Sequence, residues 1–248
     1  MKIGIIYCGF NTEEYVLDTI APWIKAKGRH DLSIAAVSIP FQEYFLLNQG
    51  EDNTTQILRD LNKEGKIDFL FTEPKYVKEN VARNLGLFSL LNNKPDIIML
   101  VDSDEFYTQE SIDKIFQYVK DTPEHVCYEI HLKNYIFDGK TWLDGFHPPR
   151  IFRTDRHKGI NQFYWDNDLL FNDSTTHKGV SSITIPKEVA HIKHMTWLNN
   201  EKSKLKTQYH LKHFGACSYR WNNETDSLEL DLEYYDKHNY PRPVVHKE

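Results

Sequence analysis

Apolar and polar positions in residues 1 to 120 alternate between two periods. Nearly continuous apolar runs predict strands buried on both faces, and these runs are Lys2–Cys8, Leu32–Ile39, Ile67–Thr72 and Ile97–Val101. Between the runs, apolar residues at helical spacing predict helices with one inner stripe each. The stripes are Val16, Ile20, Trp23 and Ile24, then Val77, Val81, Leu85, Phe88 and Leu91, then Ile112, Ile115, Phe116 and Val119. Strands and helices in this order predict an α/β fold with a mostly parallel central sheet.

Polar residues mark where the helices are expected to begin. Asn11 stands three residues before Glu14 and is expected to cap the first helix, and Thr108 is expected to cap the helix after the fourth strand. A short helix near Thr55–Asn62 precedes the third strand.

The pattern changes after residue 125. Val126–Ile136 is expected to be another strand, whereas residues 135–184 are rich in aromatics, Gly, Asp and Asn and have little periodicity, which is typical of short strands and functional loops. Asn199 and Asn200 are expected to begin a lysine-rich helix that runs to about His213. Since no repeat, low-complexity block or linker interrupts the chain, residues 1–248 are expected to form a single domain.

Composition narrows the class of protein. The chain is 40% hydrophobic and 13% aromatic, enough to build a core. It has no apolar run of about 18 residues, and its first residues predict a strand, so we expect neither a membrane span nor a signal peptide. Three cysteines at unpatterned spacing indicate neither a disulfide framework nor a thiolate zinc site, so the cytoplasm is the expected compartment. The net charge of −6 argues against electrostatic binding of nucleic acid by the whole protein.

Several common catalytic motifs are missing from the sequence. It contains no GxGxxG and no GxxxxGK[ST], which excludes a dinucleotide fingerprint and a P-loop. It also lacks GxSxG and HExxH, the usual signals of serine hydrolases and zinc proteases.

The strongest chemical signal is the acidic cluster DSDE, formed by Asp102, Ser103, Asp104 and Glu105 directly after the apolar strand IIMLV. In open parallel sheets, ligands bind at the carboxyl ends of the strands. Clustered carboxylates repel one another unless a cation or hydrogen bonds compensate, and Mg²⁺ and Mn²⁺ bind carboxylates together with substrate phosphates. The cluster therefore predicts a metal–diphosphate site. The alternative is an exposed turn whose acids favour the N-terminus of the next helix.

The order of these motifs resembles that of the nucleotide-sugar-dependent glycosyltransferases of the GT-A fold, particularly family 2. Those enzymes begin with a strand followed by an Asn-x-Glu loop, as in IIYCGFNTEEY here. They then have an Ala-Arg-Asn-x-Gly-like helix before Asp-x-Asp, as in VARNLGLFSLLNNKPDIIMLVDSDEF. The resemblance covers about residues 1–120. It implies a Rossmann-like, mostly parallel sheet flanked by helices, with residues 1–120 binding the nucleotide sugar and the loop-rich residues 121–248 binding the acceptor and ending in a helix and tail.

The resemblance also implies roles for residues of the first half. The residues expected to contact the nucleotide sugar are Tyr7, Gly9, Asn11, Glu13, Arg83, Asp102 and Ser103. Asp102 would contact the ribose or the metal, and Asp104 would be the principal metal ligand. Many relatives hold the uracil with an acidic residue after the second strand, where this chain has SIPFQEYF and Glu43 is the candidate.

In the second half, WLDGFHPPRIFR resembles the acceptor-side segment of lipopolysaccharide-type relatives, which implies acceptor binding by Arg150 and Arg153. Those relatives place a catalytic acid about fifteen residues later, where YWDNDLLF supplies Asp166 and Asp168, with Asp144 in reserve. One such carboxylate would act as the general base toward the acceptor hydroxyl. Both aspartates also fit an ordinary loop.

The resemblance further implies that a histidine completes the metal shell before a lysine-bearing helix. His194 occupies that place and His191 is the near alternative. Imidazole favours Mn²⁺ over Mg²⁺. Lys202 and Lys206 would face the departing diphosphate.

The sequence thus predicts a metal-dependent glycosyltransferase that moves a sugar from a nucleotide diphosphate, expected to be UDP, to an acceptor hydroxyl. The acceptor would be a glycan or a modified nucleobase in phage DNA, in which case the enzyme works in the host cytoplasm and the Lys/His-rich residues 191–213 contact the phosphates. A nucleotidyltransferase is the alternative enzyme, although it would more typically have a Gly-rich basic loop after the first strand. A non-catalytic nucleotide- or sugar-binding module is the alternative from another class, against which the intact Asp102 and Asp104 argue.

Overall fold

The computed structural model describes residues 1–42, 52–136, 140–165 and 168–197, and then 203–204, 207–208, 211, 219–222, 224, 227–237 and 243–247. The helices are α1 (Glu13–Ala26), α2 (Thr54–Lys63), α3 (Glu79–Leu91), α4 (Gln109–Asp121) and α5 (Leu232–Lys237), with a 3₁₀ turn at His177–Gly179. The strands are β1 (Lys2–Cys8), β2 (Asp31–Ser38), β3 (Phe69–Thr72), β4 (Ile97–Asp102), β5 (Glu105–Phe106), β6 (Cys127–Ile136), β7 (Thr141–Phe146), β8 (Pro149–Arg153), β9 (Ile160–Trp165), β10 (Asp168–Phe171), β11 (Ser182–Ile185), β12 (His191–Trp197), β13 (Tyr219–Asn222), β14 (Ser227–Leu230) and β15 (Val245–Lys247). Within these ranges, no helix combines the length and apolar character needed to cross a bilayer.

One large sheet organises the molecule. Its strand order is β15-β7-β6-β8-β4-β1-β2-β3, with β11 and β12 also paired to β6 and with β5 paired to β12. The strands β1 to β4 are parallel, as predicted, because helices connect them. Strands β7 and β8 pair antiparallel with β6, and β8 also pairs antiparallel with β4, so the second half makes the sheet mixed.

The sheet separates two hydrophobic cores, and successive residues of β1 alternate between them. Ile5 and Tyr7 pack with α1, α2 and α4 on one face. Ile6 and Cys8 pack with α3 and the β9–β10 hairpin on the other. This two-sided burial explains why the strands of the first half read as continuous apolar runs.

The predicted inner stripe of α3 is wrong at three of its five positions, whereas Val77 and Leu91 do pack against the core. Val81, Leu85 and Phe88 are 48%, 39% and 49% exposed, whereas the buried side of the helix includes Leu87 and Gly86. A Cβ atom on Gly86 would lie 3.0 Å from Cγ2 of Ile6, so the helix approaches the sheet through its small face. The close approach that glycine allows determines which face is buried.

The two predicted helix caps have different outcomes. Thr108 caps α4, because its side chain accepts from the Ser111 N–H at 3.1 Å and the Ser111 hydroxyl bonds back to the Thr108 N–H. Asn11 is not a cap. Helix α1 begins one residue later than a cap at Asn11 would require, and Asn11 takes a left-handed φ of 53° in the preceding turn.

Candidate active site

The acidic cluster lies at the carboxyl edge of the parallel strands and is tied down on two sides. In the sheet, Asp102 pairs with Cys8, and the N–H of Ser103 donates to the Cys8 carbonyl at 2.8 Å. On the other side, the N–H of Met195 donates to the carbonyl of Asp104 at 2.9 Å, and His194 pairs with Glu105 in the ladder between β12 and β5. The turn between β4 and β5 is therefore fixed between β1 and β12.

Asp102 lies between two buried arginines. Its carboxylate accepts from Arg83 at 3.2 Å and from Arg150 at 2.9 Å. These side chains are 2% and 3% exposed, and Glu79 also binds Arg83. Nearby Glu105 and Asp102 raise the pKa of Arg150 against the opposing effect of burial, so its guanidinium stays charged. Two guanidinium groups thus supply part of the positive charge that the clustered acids require.

Glu105 is the buried anchor of this network. It is fully buried, accepts from Nε of Arg150 at 2.9 Å and accepts from the Tyr107 hydroxyl at 3.0 Å. Burial raises the pKa of the Glu105 carboxyl, and Arg150 partly offsets that effect. Arg150 was expected to bind the acceptor, and the structure corrects this by placing its guanidinium inside the acidic cluster.

Asp104 and His194 face each other at the rim of the site. Oδ2 of Asp104 lies 3.4 Å from Nε2 of His194, and Nδ1 of His194 lies 2.5 Å from Oδ1 of Asn134. Since an amide oxygen only accepts, Nδ1 is the donor, and in the neutral ring the Nε2 lone pair points toward the carboxylate. Among the residues that the structure describes, no three His, Cys, Asp or Glu side chains are arranged to hold a metal ion. The arrangement is a pair of donors.

The expected donor-side residues have mixed positions. A Cβ atom on Gly9 would lie 3.0 Å from Cβ and 3.2 Å from Oγ of Ser103, so the main chain after β1 approaches the acidic turn closely and a larger residue would require Ser103 to shift. Asn11 and Glu13 instead join the starts of α1 and α2. Oδ1 of Asn11 accepts from the N–H of Asp52 at 3.2 Å, and the Glu13 carboxylate accepts from the Asn53 side chain at 2.8 Å.

Tyr7 is not a wall of this site. Its side chain is fully buried, and its hydroxyl lies 2.7 Å from Oγ1 of Thr19 on α1. Burial raises the pKa of this hydroxyl far above its ordinary value. We therefore correct the expected binding role of the Tyr7 side chain to a core role, because it is fully buried and packs with α1.

Arg153 lies at the wrong end of the sheet for its expected role. It pairs with Ile97 at the start of β4, roughly 16 Å along the strand from Asp102. Its guanidinium donates to the carbonyl of Val119 at 2.6 Å, near the C-terminus of α4, where positive charge is favourable. The expected acceptor contact is corrected to a structural one.

Asp168 is occupied by donors from its own hairpin and the following turn. Its carboxylate lies 3.1 Å from Nζ of Lys178 and 3.4 Å from Nε2 of His177, and it accepts from the Tyr164 hydroxyl at 3.4 Å. These contacts tie the Asp168 carboxylate to the hairpin and to the turn that follows it. The reserve candidate Asp144 is likewise bound to Lys187.

Four candidate site residues lie outside the described residues, namely Glu43, Asp166, Lys202 and Lys206, and so do Asn199, Asn200 and His213, which bound the predicted lysine-rich helix. Conversely, the structure adds Asn134, Glu79 and the Glu105–Arg150 pair to the site. The four-residue spacing of Glu79 and Arg83 was a usable helical signal. Nothing in the local sequence marks Asn134.

Together, the parallel-edge site and the sheet define a glycosyltransferase of the GT-A type. The model of the family described as Glycosyl transferase family 2 matches residues 5–183. The chain belongs to glycosyltransferase family 2. This membership makes the chain a nucleotide-sugar glycosyltransferase rather than a nucleotidyltransferase.

Solved structures share the fold at low sequence identity. TarS residues 1–349 from S. aureus gives a TM-score of 0.52 at 14% identity, over 86% of this chain and 72% of that chain. The same protein in complex with UDP-GlcNAc gives 0.51 at 14% identity, over 85% and 67%. The mannosyltransferase PcManGT from Pyrobaculum calidifontis, in complex with GDP-Man and Mn²⁺, gives 0.52 at 14% identity, over 86% of this chain and 63% of that chain. No curated protein matches the sequence.

Proposed function

We propose that this enzyme transfers a sugar from a UDP-sugar to a glycan hydroxyl and that it requires a divalent metal, with Mn²⁺ preferred over Mg²⁺. The observation that carries the proposal is the Asp104–His194 pair, which lies beside Asp102 at the carboxyl edge of the parallel strands.

The residues present fit such a metal. A carboxylate oxygen and an imidazole nitrogen 3.4 Å apart suit two ligands of one ion. The N–H of His194 that faces Asn134 is the outer contact that metal-bound histidines usually make. Such ions commonly take one or two protein carboxylates and complete their shell with water and substrate phosphate oxygens. Bound there by Asp104 and His194, the metal would neutralise charge on the leaving diphosphate.

The residues around the pair favour an anionic donor. Arg83 and Arg150 offset only part of the charge of the acidic cluster, so a cation that completes the neutralisation would also bind a diphosphate. Gly9 lets the main chain after β1 approach the acidic turn closely, which leaves backbone in place of a side chain at the donor side. Both effects support a nucleotide diphosphate at this edge.

The transfer itself requires a base for the acceptor. The acceptor oxygen forms a bond to the anomeric carbon, the bond from that carbon to the diphosphate oxygen breaks, and its electron pair leaves with the nucleotide. The hydroxyl proton passes to a carboxylate. We assign this role to Asp166 by its sequence position, because Asp168 is already bound to Lys178 and His177. Attack from the face opposite the diphosphate would invert the anomeric centre.

A glycan is favoured over DNA as the acceptor. The net charge of −6 argues against electrostatic binding of DNA by the whole protein. An oligonucleotide belongs in the acceptor panel because its modification would replace this assignment.

The direct test is thermal stability with nucleotides and nucleotide sugars, each with Mn²⁺, Mg²⁺ or EDTA. A ligand at a hundred times its Kd stabilises the folded state by about 2.7 kcal/mol, which raises Tm measurably. We expect a metal-dependent shift with a UDP-sugar in the wild type and in the surface control Asp18→Ala, and none in Asp104→Ala. A Tm shift with a GDP-sugar instead would replace uracil with guanine as the nucleobase of the donor. An equal shift in EDTA would remove the proposed metal requirement, and no shift with any donor would overturn the proposal.

A further inference from the structure

Phe146 is a large apolar side chain exposed at the end of β7. Its side chain is 46% exposed. A single exposed aromatic residue is ordinary on a protein surface, so exposure alone carries no meaning. Its position gives it significance. The ring of Phe146 lies beside that of His194, with centroids 6.4 Å apart and an interplanar angle of 25°.

Sheet register explains this neighbourhood. Phe146 pairs with Leu132 on β6, and His194 on β12 pairs with Asn134 on the same strand. His194 also pairs with Glu105 at the acidic turn. In the order of the sheet, β1, β2 and β3 lie on the other side of β4 from β6 and β7, and their carboxyl ends form the proposed donor side. Phe146 therefore lies across the Asp104–His194 pair from the nucleotide.

The backbone around Phe146 is anchored at both ends. Before it, Gly145 takes a φ of 101°, and its N–H donates to Oδ1 of Asp144 at 2.8 Å. After it, His147 binds Glu129 at 2.8 Å, and Arg150 reaches Asp102 at 2.9 Å. The same short connection thus carries the exposed ring and the arginine that holds the acidic cluster. The backbone that carries the ring is consequently anchored beside the site.

We propose that Phe146 is the platform on which a sugar ring of the acceptor glycan stacks, beside Asp104 and His194. This inference rests on the proposed glycosyltransferase reaction and names its acceptor subsite. A pyranose has an apolar C–H face and a polar rim, and an aromatic ring packs well against such a face. Stacking there would bring the hydroxyls at the sugar rim toward the reacting centre.

Charge distinguishes a sugar from a nucleobase on this ring. The charged or titratable side chains nearest to Phe146 along the chain already have partners, since Asp144 pairs with Lys187 and His147 with Glu129. A nucleic acid would require cations for its phosphates. A neutral glycoside requires none, so the local charges favour the sugar.

The test uses the nucleotide sugar that stabilises the wild type and measures transfer to p-nitrophenyl glycosides of common hexoses and to a DNA oligonucleotide. Phe146→Ala should raise the glycoside KM about tenfold, equivalent to 1.4 kcal/mol, and leave the donor KM and the donor-induced Tm shift within twofold of wild type. Phe146→Tyr should retain the wild-type glycoside KM. The matched control is Phe88→Ala on α3, where the ring is 49% exposed.

The possible results distinguish a failure of the proposed function from a failure of the sugar platform at Phe146. Without donor turnover in the wild type, the proposed function itself fails. With turnover intact, an unchanged glycoside KM in Phe146→Ala overturns the platform. Equal increases in donor and acceptor KM also overturn it, because they indicate a structural role. Transfer to the oligonucleotide but to no glycoside would overturn the assignment of a sugar.

Discussion

The imidazole of His194 is oriented by Asn134, whose Oδ1 lies 2.5 Å from Nδ1 of the ring. Asn134 is 8% exposed and lies on β6, the strand that also pairs with the platform residue Phe146. The contact fixes the proton on Nδ1 and directs Nε2 toward Asp104. A buried amide therefore determines which histidine nitrogen faces the proposed metal.

Asn134→Ala should weaken Mn²⁺ binding 10- to 100-fold, because losing the outer partner of a metal-bound histidine has effects of that size. The measurement is a titration of the Tm shift with Mn²⁺ at saturating UDP. Asn93→Ala is the control, since Asn93 bonds to Ser33 and lies at the opposite edge of the sheet. Equal Mn²⁺ affinity in wild type and Asn134→Ala would show that His194 needs no such support.

Arg150→Ala should lower the free energy of unfolding by about 3–5 kcal/mol, because it leaves Glu105 buried without its cation. Arg150→Lys should recover only part of the loss, since an ammonium group cannot reproduce the planar contacts to Glu105 and Asp102. Urea denaturation at pH 7 measures both. Arg156→Ala, at a side chain 47% exposed, should stay within about 0.5 kcal/mol of wild type. A similar result for Arg150→Ala would contradict the network.

Gly9→Ala should destabilise the fold by about 1–3 kcal/mol and weaken donor binding, because the added methyl group meets Ser103 at 3.0 Å. Gly28→Ala is the matched control, since its Cβ would contact only the carbonyl of Lys25 at 3.6 Å. That change should be neutral or stabilising by about 0.4–1 kcal/mol. Denaturation curves and the UDP-induced Tm shift report the two effects, and equal behaviour of the two variants would refute the close approach.

Asp166→Asn should lower kcat by about 10² or more with little change in donor binding, since general-base catalysis contributes at that scale. Asp168→Asn should mainly weaken the β9–β10 hairpin, where the carboxylate binds Lys178 and His177, and should leave most of kcat. Steady-state kinetics at saturating donor distinguish the two. A larger loss in Asp168→Asn would move the base to that residue.

Acid should destabilise the protein through His191. Burial, followed by Lys133, lowers the pKa of this imidazole to about 4, despite the opposing charge of Asp144. The unfolded state, with an ordinary pKa near 6.5, binds more protons between these values, so stability is intact above pH 6.5 and falls as the pH drops toward 4. Tm measured from pH 7.5 to 4.5 should decrease, and His191→Gln should decrease less over that window. Parallel curves for the two proteins would rule out this role for His191.

The local sequence was sufficient for the first half of the fold. The apolar runs predicted β1 and β4 almost to the residue, and Thr108 marked the start of α4, because strand burial and helix capping depend on neighbouring residues. The same reasoning placed Asp102 and Asp104 at the carboxyl edge of a parallel sheet. It failed for α3, where hydrophobicity suggested one face and the approach of Gly86 to Ile6 selected another.

The sequence by itself thus determined the order of the candidate site residues along the chain, namely an apolar strand that ends in acids and a histidine far downstream. Tertiary structure decided which groups meet there. Arg150 reaches Asp102 across 48 positions, and Asn134 reaches His194 across 60. Periodicity reports only the burial of each segment, whereas such contacts depend on the register of β6, β8 and β12. That register, set by packing of the whole sheet, makes Arg150 part of the acidic cluster and leaves Arg153 at the other end.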